Sequence, residues 1–292
     1  MKIASLDLGS NTFLLFIAEV TEDGITQVLY DETQVVRLAE KVQSTGLLQP
    51  ETLKRVEACF QNYAKKIQHY QVDKVVAVAT SAARDAKNSE ELVSLGEKYN
   101  IPIKVISGKQ EAGLTYKGSL YNLPNLGPNP LVIDVGGSST EVIGSHFLHS
   151  FNIGSVRLEE ACVKNDPLKE EDFLSLQKFV DKALEGLPLL NSSSVVAVAG
   201  TPTTLACLLE EKDFLYSRVH GKTISVENLE VIFNKLSKMT LLQRQQVIAM
   251  PAKRADVIVP GLFILLSLLK KLKVKHFYVS AAGIRYGLAL QS

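Results

Sequence analysis

The sequence predicts an α/β protein made of two similar half-domains that face each other across a central cleft. Three observations lead there. Residues 131–141 read Leu-Val-Ile-Asp-Val-Gly-Gly-Ser-Ser-Thr-Glu. That is a short apolar run of the kind a buried strand supplies, closed by a carboxylate, a flexible turn, three hydroxyls and a second carboxylate. Residues 3–12, Ile-Ala-Ser-Leu-Asp-Leu-Gly-Ser-Asn-Thr, repeat the design nearly half a chain earlier. Residues 123–130 hold three prolines, two asparagines and one glycine, the clearest linker signal in the chain. The halves are therefore 1–125 and 126–292, with the last helix free to pack back on the first half. The linker makes hinge motion an expectation.

Both loops suit a phosphate. Gly136 and Gly137 reach backbone angles closed to other residues, so the turn can gather its N–H groups, and Ser138 and Ser139 add hydroxyls. Ser10, Asn11 and Thr12 stand in the same place in the first loop. Asp134 and Glu141 flank the second loop and would repel a phosphate unless a divalent cation sat between them. A polar hairpin turn is the competing reading for either loop alone. The echo between them favours a metal-bound phosphate site.

In chain order, residues 3–8 form a strand, 13–20 a second and, after the Asp23-Gly24 turn signal, 25–30 a third. Three adjacent strands with a phosphate loop in the first hairpin are not the strand–loop–helix of a nucleotide P-loop or a dinucleotide fold. Neither a GxxxxGK nor a GxGxxG pattern stands at such a loop. Residues 50–68 are helical: Pro50 suits the first turn, and Leu53, Val56, Phe60, Tyr63 and Ile67 share a face. Strand 74–79 runs into Thr80-Ser81-Ala82-Ala83-Arg84-Asp85. Arg84 either grips a phosphate bidentately or pairs with Asp85 on the surface, and spacing alone leaves both open. A helix over 89–99, capped by Ser89, and a strand over 103–106 lead to the loop 107–113 entering a helix. Glu111 there either favours the helix dipole or faces the cleft.

After the linker, strands 131–135, 141–144 and 147–153 restart the order of the first half. Arg157 follows as a second candidate cleft cation. A helix over 169–187 and a strand over 195–199 precede the turn Gly200-Thr201-Pro202-Thr203-Thr204, which enters a helix at Leu205. His220 stands in a loop and reads as structural. The remainder is helical until a last strand, 276–280, whose glycine-rich exit offers Arg285.

Composition narrows the class. Hydrophobic residues make up 46% and charged residues 22%, the balance of a soluble globular protein. A net charge of +1 exerts no global pull on nucleic acid or membrane, so a small anionic substrate needs local positive charge. Cys59, Cys162 and Cys207 lie far apart, as reduced thiols of a cytoplasmic protein would. Asp7 interrupts the first apolar run, so no signal peptide is expected. Residues 257–269 contain Pro260 and Gly261 and fall short of the roughly 20 residues of a membrane span, so they read as a buried helix.

With both Asp-x-Gly loops, the Gly-Thr-Pro-Thr-Thr turn and Ser-Gly-Lys-Gln-Glu-Ala-Gly at 107–113, the chain resembles the Ppx/GppA phosphatases. These are exopolyphosphatases and guanosine pentaphosphate phosphohydrolases of the acetate kinase, sugar kinase, heat-shock cognate and actin superfamily. The resemblance spans essentially the whole chain, in family order: residues 7–12, 80–86, 108–112, 134–141, 200–204, Arg254 with Asp256, and 283–287. The chain ends where long members add a helical extension, so it is similar to the short, two-domain type.

The resemblance implies actin-like, ribonuclease H-like halves and hydrolysis of the terminal phosphoryl group of a polyphosphate. It implies Glu111 as general base and Arg84 as the neutralising cation. Asp134 and Glu141 would hold Mg²⁺ or another divalent cation. Ser10, Asn11, Thr12, Gly136, Gly137, Ser138 and Ser139 would hold phosphate, and Gly200, Thr201, Arg254 and Arg285 are candidate contacts to a nucleotide or chain. Two places depart from the pattern: Phe13-Leu14-Leu15, where members often carry a basic residue or His, and Tyr286, where Glu often follows Arg. Both bear on how a long or nucleotide-bearing substrate is held.

Exopolyphosphatase activity is the first expectation. Guanosine pentaphosphate hydrolysis, with residues 200–204 lining a purine pocket, is the second. From another class, an ATP-dependent kinase or a non-catalytic anion-binding protein would use the same loops, and acceptor-dependent ADP formation would mark the kinase. The expected partners are small anions, neither nucleic acid nor membrane; a homodimer stays open.

Overall fold

The computed structural model describes residues 1–124, 126–188, 190 and 192–291. The first part of the chain forms β1 (Lys2–Leu8), β2 (Thr12–Thr21), β3 (Gly24–Val35), α1 (Val42–Thr45), α2 (Pro50–His69), β4 (Lys74–Ala79), α3 (Ser81–Asp85), α4 (Ser89–Lys98), β5 (Ile103–Val105) and α5 (Gly108–Ser119). There follow β6 (Pro130–Val135), β7 (Thr140–Gly144), β8 (Phe147–Phe151), α6 (Ser155–Cys162), α7 (Glu170–Ala183), β9 (Ser194–Val198), α8 (Gly200–Glu210), α9 (Tyr216–Val219), β10 (Thr223–Ser225), α10 (Val226–Ser237), α11 (Leu241–Gln245), α12 (Ile258–Lys271), β11 (His276–Val279) and α13 (Ile284–Ala289).

The chain divides into two compact units, Met1–Gly118 with Gly283–Ser292, and Ser119–Ala282. The boundary expected at 125/126 falls on Asn125, outside the described residues. The change of unit comes at Gly118/Ser119, where α5 ends, and again at Ala282/Gly283. The second change arises because α13 packs on β1 and β2 of the first unit.

Each unit holds one mixed sheet, and the two orders repeat. The first runs β3-β2-β1-β4-β5 and the second β8-β7-β6-β9-β11, with β10 added at its edge. In both, the first three strands are an antiparallel meander and the next two are parallel to the first. This is the duplicated α/β architecture that the two loops predict. The parallel strands matter most for the site, because their C-terminal ends lie side by side at one edge of each sheet.

Strand and helix choice follows the residues. Pro50 opens α2 at its first position, and Val56, Cys59, Phe60 and Tyr63 turn inward. The Tyr63 hydroxyl donates to the Phe13 carbonyl at 2.9 Å, and Phe13 stacks on Phe60, which fixes α2 against β2. α12 is apolar all round and buries eleven residues in the core of the second unit. Among the described residues no helix is long and apolar enough to cross a membrane.

Several local expectations change. Asn88, not Ser89, is the cap residue of α4, and its side chain accepts from Leu48 N–H and donates to the Leu48 carbonyl. The helix after β9 begins at Gly200 itself, not at Leu205. β10 is a strand that its three residues are too short to announce.

Candidate active site

In the first unit, β1, β4 and β5 run parallel and end together. Asp7 and Ser10 follow from β1, Thr80, Ser81 and Arg84 from β4, and Glu111 from the first turn after β5. Arg84 Nη1 donates to Glu111 Oε2 at 2.7 Å and to the Ile106 carbonyl at 2.9 Å. The Arg84 guanidinium is thereby held against Glu111 at the end of the sheet. The Ser10 and Ser81 hydroxyls share a hydrogen bond of 2.9 Å, which ties the loop to the start of α3.

Glu111 is 7% exposed. Burial pushes its carboxyl above the usual range, while the Arg84 guanidinium and the Thr80 hydroxyl pull it down. The balance describes a carboxylate more basic than a solvated one, tempered by its cation.

Asp7 is the residue whose role the sequence leaves blank, marking it only as the head of the loop motif. Its Oδ1 is enclosed and has no hydrogen-bond partner among the described residues. Burial, then the charge of Glu111, push its pKa up to about 7, against the pull of Arg285. Enclosure by β2 and β4 on either side produces this, and sheet order is invisible in a loop motif. The folded state thus keeps a proton that the unfolded chain releases near pH ~4. Stability falls as pH rises from about 4 to about 7, because the native state binds more protons across that window. Asp7→Asn is expected to flatten this fall and exceed wild type in denaturant midpoint at pH 8, the gain vanishing toward pH 4. Parallel curves for the two proteins would refute the buried neutral carboxyl.

The two loops share one backbone turn. Gly9 N–H donates to Thr12 O at 3.0 Å, and Gly136 N–H to Ser139 O at 3.0 Å. In the second unit the turn is braced from behind. Ser155 N–H donates to the Gly136 carbonyl, Val156 and Arg157 N–H to that of Gly137, and Arg157 Nε to that of Ser138. Gly154 is required there, because a Cβ would collide with the Gly137 carbonyl. Arg157, a candidate cleft cation by sequence, braces the loop through its Nε. A trans peptide points its N–H opposite its C=O. With the carbonyls of 136–138 turned to α6, the N–H groups of Gly137, Ser138 and Ser139 turn the other way. The first loop repeats this: Val36 and Arg37 N–H hold the Asn11 carbonyl and Ala39 N–H that of Ser10.

Asp134 and Glu141 are directly opposite in the β6/β7 register, so both carboxylates leave the same face of the sheet. Like charges so placed are destabilising unless a cation joins them. Glu141 is 4% exposed, and its Oε1 accepts from Ser150 Oγ at 2.7 Å. In the first unit the residue opposite Asp7 is Leu14, so the acidic pair belongs to the second loop alone. Among the described residues no group of three metal-binding side chains occurs. Two carboxylates with water completing the shell suit Mg²⁺.

The four outlying candidates separate. Arg285 is paired within the first unit: its Nε and Nη2 donate to Asp31 Oδ1 and Oδ2, each at 3.0 Å. Thr201 is buried, with its Oγ1 against Gly261 of α12. Gly200 opens α8 after Ala199, which is held at φ +82°, a strained angle for a residue with a Cβ. The Arg254 guanidinium lies on Gly200 so closely that any Cβ there would overlap it. Burial pushes its pKa down to about 10.

Residues 16–292 match the model of the Ppx/GppA phosphatase family. Exopolyphosphatase 2 of Mycobacterium tuberculosis is 31% identical, over 99% of this chain and 98% of the relative. A guanosine-5'-triphosphate,3'-diphosphate pyrophosphatase of Pseudoalteromonas atlantica is 29% identical over 98% of this chain and 57% of its own. The crystal structure of the Aquifex aeolicus Ppx/GppA family member superposes with a TM-score of 0.83, at 29% identity, covering 100% of this chain and 97% of that one. The chain belongs to the Ppx/GppA phosphatase family.

Proposed function

We propose that this protein is an exopolyphosphatase that hydrolyses the terminal phosphate of inorganic polyphosphate. The observation that carries the reading is the braced second loop. Its carbonyls are tied to α6, its N–H groups turn away from them, and the acidic cross-strand pair stands beside it. Each unit offers one such loop, and a polyphosphate presents many identical phosphates to grip.

In the proposed reaction a water attacks the terminal phosphorus and Glu111 takes its proton. The bridging P–O bond breaks, and the shortened chain leaves with the bonding electrons as an anionic phosphate. Arg84 offsets charge on the transferred group. Phosphoryl transfer needs little more than such positioning and electrostatics. Gly136, Gly137, Ser138 and Ser139, with Ser10, Asn11 and Thr12 of the first loop, hold phosphate oxygens. Asp134 and Glu141 would hold a divalent cation, Mg²⁺ by the chemistry of the pair, which would supply neutralisation of phosphate charge. Three buried free thiols fit a reducing, cytoplasmic setting.

The test is phosphate release with Mg²⁺ from long-chain polyphosphate and from guanosine pentaphosphate, side by side. Release chiefly from polyphosphate is expected. Release chiefly from the nucleotide would instead support guanosine pentaphosphate hydrolysis, which the placement of Arg254 over the start of α8 favours. Asp134→Asn is expected to raise the Mg²⁺ needed for half-maximal rate by roughly 10- to 100-fold. An unmoved Mg²⁺ titration would take Asp134 out of the metal site.

A further inference from the structure

The proposed reaction gives Ser150 no role, yet this residue makes the one side-chain bond described above to the acidic pair. Ser150 is exposed and Glu141 is buried, and the Ser150 hydroxyl reaches Glu141 Oε1 at 2.7 Å. The sheet register explains the meeting. Asp134 is opposite Glu141, and Glu141 is opposite Ser150, so the three side chains form one row across β6, β7 and β8. The matching row of the first unit reads Asp7, Leu14 and Thr33. Its middle residue is apolar, so the hydroxyl at its end stands opposite a leucine. Acid, acid and hydroxyl in register occur in the second row and not in the first.

The bond does a definite thing. The last torsion of a glutamate side chain is broad, so a carboxylate on a strand can turn its plane freely. A hydroxyl donating to one oxygen selects an orientation. The backbone that carries Ser150 is itself fixed. Phe151, the next residue, is buried, and Thr140 beside Glu141 donates its Oγ1 to the Ile153 carbonyl at 2.7 Å. Ser155, Val156 and Arg157 then brace the carbonyls of the second loop. One short stretch, 150–157, therefore supports both the phosphate loop and a carboxylate of the acidic pair.

We infer that Ser150 is a positioning residue for divalent-cation binding, orienting the Glu141 carboxylate through its hydroxyl. The inference rests on the metal reading of Asp134 and Glu141. Ser150 acts through Glu141 and is not itself a ligand or a catalytic residue. Hydrogen bonds to metal-binding carboxylates typically carry 10- to 100-fold in affinity, and one exposed hydroxyl belongs at the low end, about tenfold. The chemistry is specific: the position needs an O–H donor, which threonine keeps and alanine lacks. Threonine also suits a strand.

The test titrates Mn²⁺ into the protein without substrate or phosphate and follows free Mn²⁺ by electron paramagnetic resonance. Wild type, Ser150→Ala, Ser150→Thr and Asp134→Asn are compared. Ser150→Ala should raise the Mn²⁺ Kd about tenfold, and Ser150→Thr should bind like wild type. Ser150→Ala binding as tightly as wild type while Asp134→Asn binds weakly would overturn the role of Ser150 and leave the acidic pair standing. A Ser150→Ala protein with a lower thermal midpoint and unchanged Mn²⁺ binding would overturn it too, since the bond would then serve the fold alone. Ser150→Thr binding as weakly as Ser150→Ala would do the same, because the hydroxyl would not be what matters. Wild type that binds no Mn²⁺ would overturn the inference together with the metal reading beneath it. No readout uses phosphate release, so the outcome is independent of the proposed hydrolysis.

Discussion

Glu111→Ala is expected to lower turnover of polyphosphate by about 10²- to 10⁴-fold, the range lost when a positioned general base is removed. The argument is geometric first. Glu111 sits in the first turn after β5, anchored by its N–H to the Ser107 carbonyl at 2.9 Å and by Arg84 at 2.7 Å. Those contacts hold a carboxylate at the C-terminal edge of the sheet, where ligands bind in α/β sheets. Burial makes it a stronger base than a solvated glutamate, and the Arg84 guanidinium limits that rise. Substrate affinity should survive the substitution, because the loops that hold phosphate are untouched. The acid limb of the rate profile should lie above the pH at which an ordinary glutamate titrates, since the shift is upward. Turnover near wild type in a folded Glu111→Ala protein would remove the base assignment.

Asp31→Ala should cost about 3 kcal/mol of stability, the low end for stripping one partner from a buried ion pair. Arg285 is 9% exposed as a side chain and Asp31 21%, so the guanidinium bears most of the desolvation and the carboxylate less. The bidentate pair joins α13, the segment that returns from the far end of the chain, to β3. Arg285 also stacks on Tyr286, which packs on Phe16 at 4.2 Å. Losing Asp31 therefore loosens the element that completes the first unit. The denaturant midpoint should fall with an unchanged slope, while kcat/KM of the folded protein stays near wild type. An unchanged midpoint with a raised KM would return Arg285 to the substrate.

Much of this site is legible in the sequence because its signals are local. The turn chemistry of Gly136 and Gly137 marks one loop, and Gly9 marks the other. The short hairpin between β6 and β7 makes Asp134 and Glu141 neighbours in space as well as in sequence. The strand–loop–strand–strand repeat is enough by itself to announce the duplication. These features depend on residue type over a span of ten or so positions, and periodicity reads such spans well.

Arginine partners are not local. By spacing, Arg84 is balanced between a phosphate and Asp85, and Arg157 and Arg285 look alike as cations beyond strand ends. In the folded chain their partners are Glu111, the Ser138 carbonyl and Asp31. A guanidinium on a long flexible stem is committed by whichever chain segment the sheet order brings beside it. That order joins residues far apart, as β1 beside β4 and α13 on β1 and β2. The enclosure of Asp7 has the same origin. The sequence alone determined the duplicated α/β halves, the two loops and the acidic pair, because each follows from backbone propensity and turn chemistry. Only the tertiary structure decided which charges pair and where the chain passes between units, because desolvation and long-range packing are properties of the assembled sheets.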